Sequence, residues 1–191
     1  MKIFIFSALL STLFLAACSN GSSTANQEAA TRGTDTNTSA IPAEKTKDAP
    51  ADGIINGYLQ LKNALVADDD KAAAEAGKVM TKAMAAFDKS ALSTEQAKIY
   101  ADIEEGVKEH AEHIGDNVGN IHHQREHFES LSQDIYDLAK AMGTGQKLYF
   151  DHCPMYNHSK GANWLSETKE IRNPYLGKSM PDCGSVKEEI N

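Results

Sequence analysis

Two short sulfur-containing motifs could do chemistry in this sequence of 191 residues. One is Cys-Pro-Met at residues 153–155, and the other is Met-Pro-Asp-Cys at residues 180–183. In an extended chain the cysteine and methionine of the first motif point to the same side, and a proline turn could bring those of the second together. Two thiolates and two thioethers suit Cu(I) or Ag(I) rather than Mg²⁺ or Ca²⁺. The motifs therefore predict a soft-metal site formed by Cys153, Met155, Met180 and Cys183.

The same two cysteines also permit a disulfide. The chain has three cysteines, and if Cys18 is lipidated, as argued below, Cys153 and Cys183 are the only free thiols. Disulfides persist in compartments outside the cytoplasm. A bridge across this span of about 30 residues would stabilise the fold by roughly 3–4 kcal/mol in the loop-entropy model. Both interpretations stay open, because they exclude each other only while the disulfide is intact.

Histidines are concentrated in one part of the chain. Five of the seven lie within residues 110–127. On a helical wheel His110 lies on the apolar stripe, and His113 and His127 flank it. A hairpin between two helices could bring these three imidazoles together, and imidazoles suit Zn, Cu or Ni. The alternative is one hydrogen-bonded core histidine and several solvated ones. His127 and His158 are also candidate auxiliary ligands of the sulfur site.

Several function classes are not indicated. The sequence contains no Gly-rich phosphate loop, HExxH, GxSxG or CxxCH motif. Cys153 and His152 are adjacent and cannot form a catalytic dyad, and nothing marks a helix N-terminus that would lower the pKa of the thiol. With 27 acidic against 19 basic side chains, the net charge of −8 argues against a nucleic-acid partner. We therefore expect a protein that is not an enzyme and does not bind nucleic acid.

The N-terminus predicts export and a lipid anchor. Residues 1–17 carry one basic side chain, Lys2, and then an apolar run that is shorter than the ~20 residues of a membrane span. The Leu-Ala-Ala-Cys ending at residues 15–18 resembles a bacterial lipobox, in which the signal is cut before the cysteine and the thiol carries a diacylglycerol. Cys18 would then attach the protein to the membrane. Because Ser19 is not Asp, we expect the outer membrane, with the protein facing the periplasm.

A tether follows the predicted anchor. Residues 19–51 contain no aromatic side chain and one large aliphatic, Ile41. Such a segment cannot bury enough apolar area to offset its conformational entropy. The predicted organisation is a signal peptide at 1–17, a lipidated cysteine and flexible tether at 18–51, and a folded domain at 52–191.

The first part of this domain is predicted to be helical. No proline lies between Ala51 and Cys153, and apolar residues repeat with helical spacing in four blocks. The first block is 52–67, and the acidic residues 68–70 offer a cap for the second helix. A capping box at 93–96 opens the third helix, and the fourth spans 121–142. Four helices with short connections predict an all-α fold, an antiparallel four-helix up-and-down bundle.

The segment after the fourth helix has a different composition. It holds both remaining cysteines and three of the five prolines. Residues 147–150 could form a short strand, and the rest shows neither helical nor strand periodicity. We expect an irregular, loop-rich segment packed on the bundle, with Trp164 docking it onto the third and fourth helices.

Several motifs of the domain resemble those of domain of unknown function family 3347. They lie at residues 124–128, 131–132, 153–155, 161–166 and 171–175, followed by Gly177, Met180 and Cys183-Gly184. The resemblance covers about Gly53 to Ile190. Members of this family occur as short secreted or lipidated proteins. They also occur as C-terminal extensions of periplasmic adaptors in heavy-metal efflux systems.

This resemblance implies metal handling. The Cys-Pro-Met motif is also similar to the Tyr-x-Cys-Pro-Met-His core of small heavy-metal-binding domains, although here Tyr156 follows Met155. The expected function is that of an envelope lipoprotein whose domain binds copper or silver and supports heavy-metal efflux. The alternative is a structural or interaction lipoprotein with a Cys153–Cys183 disulfide.

Overall fold

A computed structural model describes residues 49–191 of the chain. The predicted signal peptide, Cys18 and all but the end of the tether lie outside the described residues.

Four long helices form the first part of the domain. They are α1 (Asp52–Val66), α2 (Asp70–Ala85), α3 (Thr94–Asp116) and α4 (Ile121–Met142). Each helix packs mainly on the one before it and the one after it in the chain. The prediction of four helices is confirmed, and the bounds of α4 are those that the sequence predicts. No helix among residues 49–191 is both long and apolar enough to cross a bilayer.

The helix ends are set by local side chains. Asp69 caps α2, where its carboxylate accepts a hydrogen bond from the Ala72 amide at 2.9 Å. Ser93 and Gln96 form both bonds of the predicted capping box at the start of α3. Gly143 ends α4 with a φ of +74°, which is a left-handed conformation that favours glycine.

The apolar spacing of α3 predicts an inner face that includes Ile99 and His110, but at both places the next residue is the buried one. Tyr100 and Ala111 are buried, whereas Ile99 and His110 are only partly so. Tyr100 stacks on Phe87 with ring centroids 4.6 Å apart, so the larger ring takes the core position. His110 instead lies at the border of the core, where it faces α4.

The C-terminal region contains a small sheet, so the fold is mostly helical and not all-α, and the C-terminal segment is more regular than predicted. Strands β1 (Leu148–Cys153), β2 (Ala162–Ser166) and β3 (Ser185–Ile190) form an antiparallel sheet in the order β2-β1-β3. A bulge between Phe150 and Asp151 interrupts the pairing of β1 with β3. Strands of five or six residues with such an interruption give little periodic signal.

The sheet is fixed to the helices through buried polar groups. Strand β2 packs on α4 and, less extensively, on α1 rather than on α3, so the expected docking on the third helix is wrong. The Tyr58 hydroxyl accepts a hydrogen bond from the Leu165 amide at 3.0 Å and contacts the Ser132 hydroxyl at 2.9 Å. The Tyr175 hydroxyl donates to the Asn163 carbonyl. The buried hydroxyls of Tyr58, Ser132 and Tyr175 are thereby paired across the contact between helices and sheet.

A second contact to the helices comes from Arg125 of α4. Its guanidinium donates to the Leu65 carbonyl at the end of α1 (2.9 Å), to the Asp68 carboxylate (2.5 Å) and to the Pro174 carbonyl of the C-terminal region (2.7 Å). One side chain therefore joins three segments that are far apart in sequence. The motif around Arg125 has a structural role in the assembly of the domain.

Candidate metal-binding sites

The first candidate site is the pair of thiols Cys153 and Cys183. Cys153 ends β1, and Cys183 lies in the loop before β3. Their Sγ atoms are 2.8 Å apart and both cysteines are free. This distance is longer than the ~2.05 Å of a disulfide bond. The fold therefore brings together the two thiols that the sequence singles out, without a bond between them.

The two thiols have different environments. Cys153 is fully buried, and burial raises its pKa. Hydrogen bonds from the Cys183 thiol, from the backbone amides of Met155 and Tyr156 and from the Asn173 side chain outweigh this effect, so that the pKa of Cys153 is lowered. Burial and the neighbouring Cys153 sulfur raise the pKa of Cys183. Cys153 is therefore the thiol of the pair that loses its proton more readily.

Asn173 organises the loop that carries Cys183. Its side-chain amide is fully buried and donates to the Cys183 carbonyl at 2.7 Å. Its side-chain oxygen accepts from the amides of Tyr175 and Leu176, at 2.8 and 2.9 Å, and its own backbone amide donates to the Pro181 carbonyl at 2.8 Å. Sequence reasoning gave Asn173 no role. The only signal was its place in the motif at residues 171–175.

The two predicted thioether ligands lie at the surface. Met155 is 55% exposed and Met180 is 39% exposed, which is unusual for such large apolar side chains. Met155 follows the buried thiol by two residues, and the Met180 carbonyl accepts the amide hydrogen bond of Cys183. The thioethers therefore flank the thiol pair along the chain and are open to solvent.

The two predicted auxiliary histidines lie in other surroundings. His158 is exposed and lines an open surface pocket together with His122 and Glu129. His127 is surrounded by other histidines.

The second candidate site is this group of histidines, between the C-terminal half of α3 and the N-terminal half of α4. His127 Nδ1 lies 3.0 Å from His110 Nδ1, and His127 Nε2 lies 3.2 Å from His123 Nε2. The rings of His113 and His127 stack with centroids 4.4 Å apart. The structure thus brings His110, His113 and His127 together and adds His123, whereas His122 is 80% exposed.

These features define a mostly helical domain with a small antiparallel sheet and two clusters of metal-ligating side chains. Residues 54–147 match the family described as protein of unknown function (DUF3347). The suspected family is thereby confirmed over this range, which does not extend to the motifs at residues 153–184. The matched range includes α1 to α4 and the histidine cluster and ends before the thiol pair. The comparisons with curated proteins and with solved structures returned no match.

Proposed function

We propose that this protein is a lipid-anchored metal-binding protein of the bacterial cell envelope, and that it binds Cu(I) or Ag(I) in support of heavy-metal efflux. The observation that carries the proposal is the pair of free thiols, Cys153 and Cys183, with Sγ atoms 2.8 Å apart. In this proposal the helices form an antiparallel up-and-down bundle that serves as the scaffold. The role is binding and not catalysis.

The environment of the thiols supports metal binding. A cysteine must lose its proton to ligate a metal ion, so a lowered pKa at Cys153 reduces competition by protons. Sulfur ligands at about 2.3 Å from one tetrahedral ion are roughly 3.8 Å apart. The pair must therefore open by about 1 Å, and Cys183 can move because it lies in a partly exposed loop. The exposed thioethers of Met155 and Met180 are available to an ion that arrives from solvent.

The expected result of a Cu(I) titration is one ion bound per reduced chain. We expect Cys153→Ser to abolish this binding and the double variant Met155→Leu/Met180→Leu to weaken it, because leucine keeps the volume but lacks the thioether. The measurement is competition with a chromophoric Cu(I) chelator under anaerobic conditions. Met142→Leu is the matched control, since Met142 is a buried methionine at the end of α4 and should leave the affinity unchanged.

Two outcomes would contradict parts of this proposal. If the double Met→Leu variant binds Cu(I) as tightly as the parent, the thioethers are not ligands. If the reduced parent does not compete with the chelator at all, the thiol pair has a structural role.

The second candidate function is that of a structural lipoprotein with a Cys153–Cys183 disulfide. The same short distance between the two sulfur atoms favours it. This function requires that no free thiol is found after aerobic purification.

The predicted anchor can be tested separately. Cys18→Ala removes the thiol that would carry the lipid, so we expect the variant to move from the membrane fraction to the soluble fraction. Fractionation of cells that express parent and variant provides the measurement. Cys153→Ser, which leaves Cys18 in place, should stay in the membrane fraction. A Cys18→Ala protein that stays with the membrane would contradict lipid anchoring.

A further inference from the structure

The histidine cluster has the hydrogen-bond pattern of a metal site. In proteins a ligating histidine generally donates its second ring N–H to a carboxylate or another acceptor, which fixes the tautomer and orients the ring. His123 has such a partner, because its Nδ1 lies 3.2 Å from the Glu126 carboxylate. His127 has one as well, because its Nδ1 lies 3.0 Å from His110 Nδ1. With a proton on Nδ1 in both rings, both Nε2 atoms carry free lone pairs.

These two Nε2 atoms face each other at a distance that suits a shared ion. They are 3.2 Å apart. Nitrogen ligands at 2.0–2.1 Å from a tetrahedral Zn²⁺ are about 3.3–3.4 Å apart. Two lone pairs at this separation repel each other unless a proton or a cation lies between them. His123 and His127 are four residues apart on one helix, which is a common arrangement of two histidine ligands of zinc.

His113 offers a third ligand from the neighbouring helix. One ring nitrogen from each of His113, His123 and His127 can be chosen so that all three atoms lie within 4.8 Å of one another. Since 4.8 Å exceeds the tetrahedral separation, His113 must turn toward the other two rings. Its side chain is 48% exposed, which leaves space on the solvent side for the ring to turn.

The charge balance at the cluster also suits a cation. Neutral imidazole is the form that ligates metals. The carboxylates of Glu109 and Glu126 lie beside His113 and His123 and supply negative charge around the site.

We propose that His113, His123 and His127 bind one divalent cation of the zinc, copper or nickel type, at a site separate from the thiol pair. His110 and Glu126 are positioning residues, which hold the rings of His127 and His123 with Nε2 directed toward the ion. Three neutral imidazoles favour such borderline cations over Mg²⁺ and Ca²⁺, which prefer oxygen ligands. A fourth coordination position stays open for water or an exchangeable ligand. This proposal does not depend on the proposed function.

The test uses the full chain with Cys153→Ser and Cys183→Ser, so that no thiol of the domain can bind the probe. The probe is Zn²⁺ alone, in competition with a chromophoric chelator. We expect one Zn²⁺ per chain. His123→Ala and His127→Ala should each weaken binding roughly 100-fold or more, because each removes a ligand and not merely a residue that hydrogen-bonds to a ligand. His122→Ala is the matched control, because this exposed neighbour on α4 should leave the affinity unchanged.

Further readouts separate positioning from ligation and from misfolding. His110→Gln and Glu126→Gln should weaken Zn²⁺ binding about 10–100-fold without abolishing it. Co²⁺ should give the visible absorption of a four-coordinate site without a sulfur charge-transfer band. Circular dichroism and Trp164 fluorescence check that each variant is folded. The proposal is overturned if the thiol-free chain binds no Zn²⁺, or if a folded His123→Ala/His127→Ala variant binds it as tightly as its parent.

Discussion

Replacement of Asp151 by asparagine is expected to raise the free energy of unfolding at pH 8 by up to about 4 kcal/mol. Asp151 lies on β1 and is fully buried. Neither of its carboxylate oxygens has a hydrogen-bond partner within residues 49–191. Burial raises the pKa of Asp151 to about 7, and the Lys62 ammonium opposes this only in part. The Lys62 ammonium forms an ion pair with the Glu167 carboxylate at 2.7 Å.

The sign of the effect follows from proton binding. Between the usual aspartate pKa of about 4 and the raised value of about 7, the folded protein holds a proton that the unfolded chain has lost. Ionisation of Asp151 therefore lowers the free energy of unfolding as the pH rises through this range. Above pH 7 the fold must keep an unpaired, ionised carboxylate buried. Asparagine has nearly the same shape and no charge, so it avoids this penalty.

The measurement is urea unfolding of parent and Asp151→Asn from pH 4 to pH 8, and the quantity of interest is the difference between the two. We expect this difference to be small near pH 4 and to grow up to pH 8. Asp182→Asn, at an exposed position of the Cys183 loop, is the matched control. A constant difference for Asp151→Asn would show that this carboxylate ionises as it does in the unfolded chain.

The helices could be predicted from the sequence because their signals are local. Apolar spacing, the caps at Asp69 and at Ser93-Gln96, and the glycine after Met142 each act within a few residues of the helix end that they define. These local signals agree with the tertiary packing. The bounds of α4 followed from them directly.

One strand was suggested at residues 147–150, but the pairing of three strands into a sheet could not be predicted because its signals are not local. Three of the six residues of β3 are charged, and its alternation of exposed and half-buried positions depends on pairing with β1, about 35 residues earlier in the chain. Asn173 likewise owes its role to partners that only the fold brings near. Periodicity within one segment carries no information about such pairings.

In the candidate sites, too, local features could be predicted from the sequence, whereas contacts that depend on the fold could not. Residue type alone singled out Cys153 and Cys183, and the structure adds their contact and the unequal environments that lower the pKa of one thiol and raise that of the other. A helical wheel selected His110, His113 and His127 and did not select His123, because it treats one helix at a time. Its role in the cluster depends on the packing of α3 against α4 and on Glu126, one turn away on α4.

Trp164→Ala is expected to lower the free energy of unfolding by about 3–5 kcal/mol, the usual loss for a buried large aromatic side chain. The ring is fully buried in β2, and Tyr175 packs edge-on against it with centroids 6.0 Å apart. A Cβ atom at Gly184 would lie 2.8 Å from the indole, so this wall of its cavity is tightly packed. Removal of the ring leaves a void beside Tyr175 and Gly184.

Trp164→Phe is the informative control for this prediction. The indole N–H of Trp164 has no hydrogen-bond partner among the described residues, so phenylalanine removes an unpaired buried donor while it keeps most of the apolar area. The loss for phenylalanine should therefore be clearly smaller than for alanine in urea unfolding at pH 7. Because the sheet carries Cys153, the alanine variant should also react faster with a thiol reagent. Equal losses for the two variants would place the stabilisation in the N–H group, and no loss for either would place the ring at the surface.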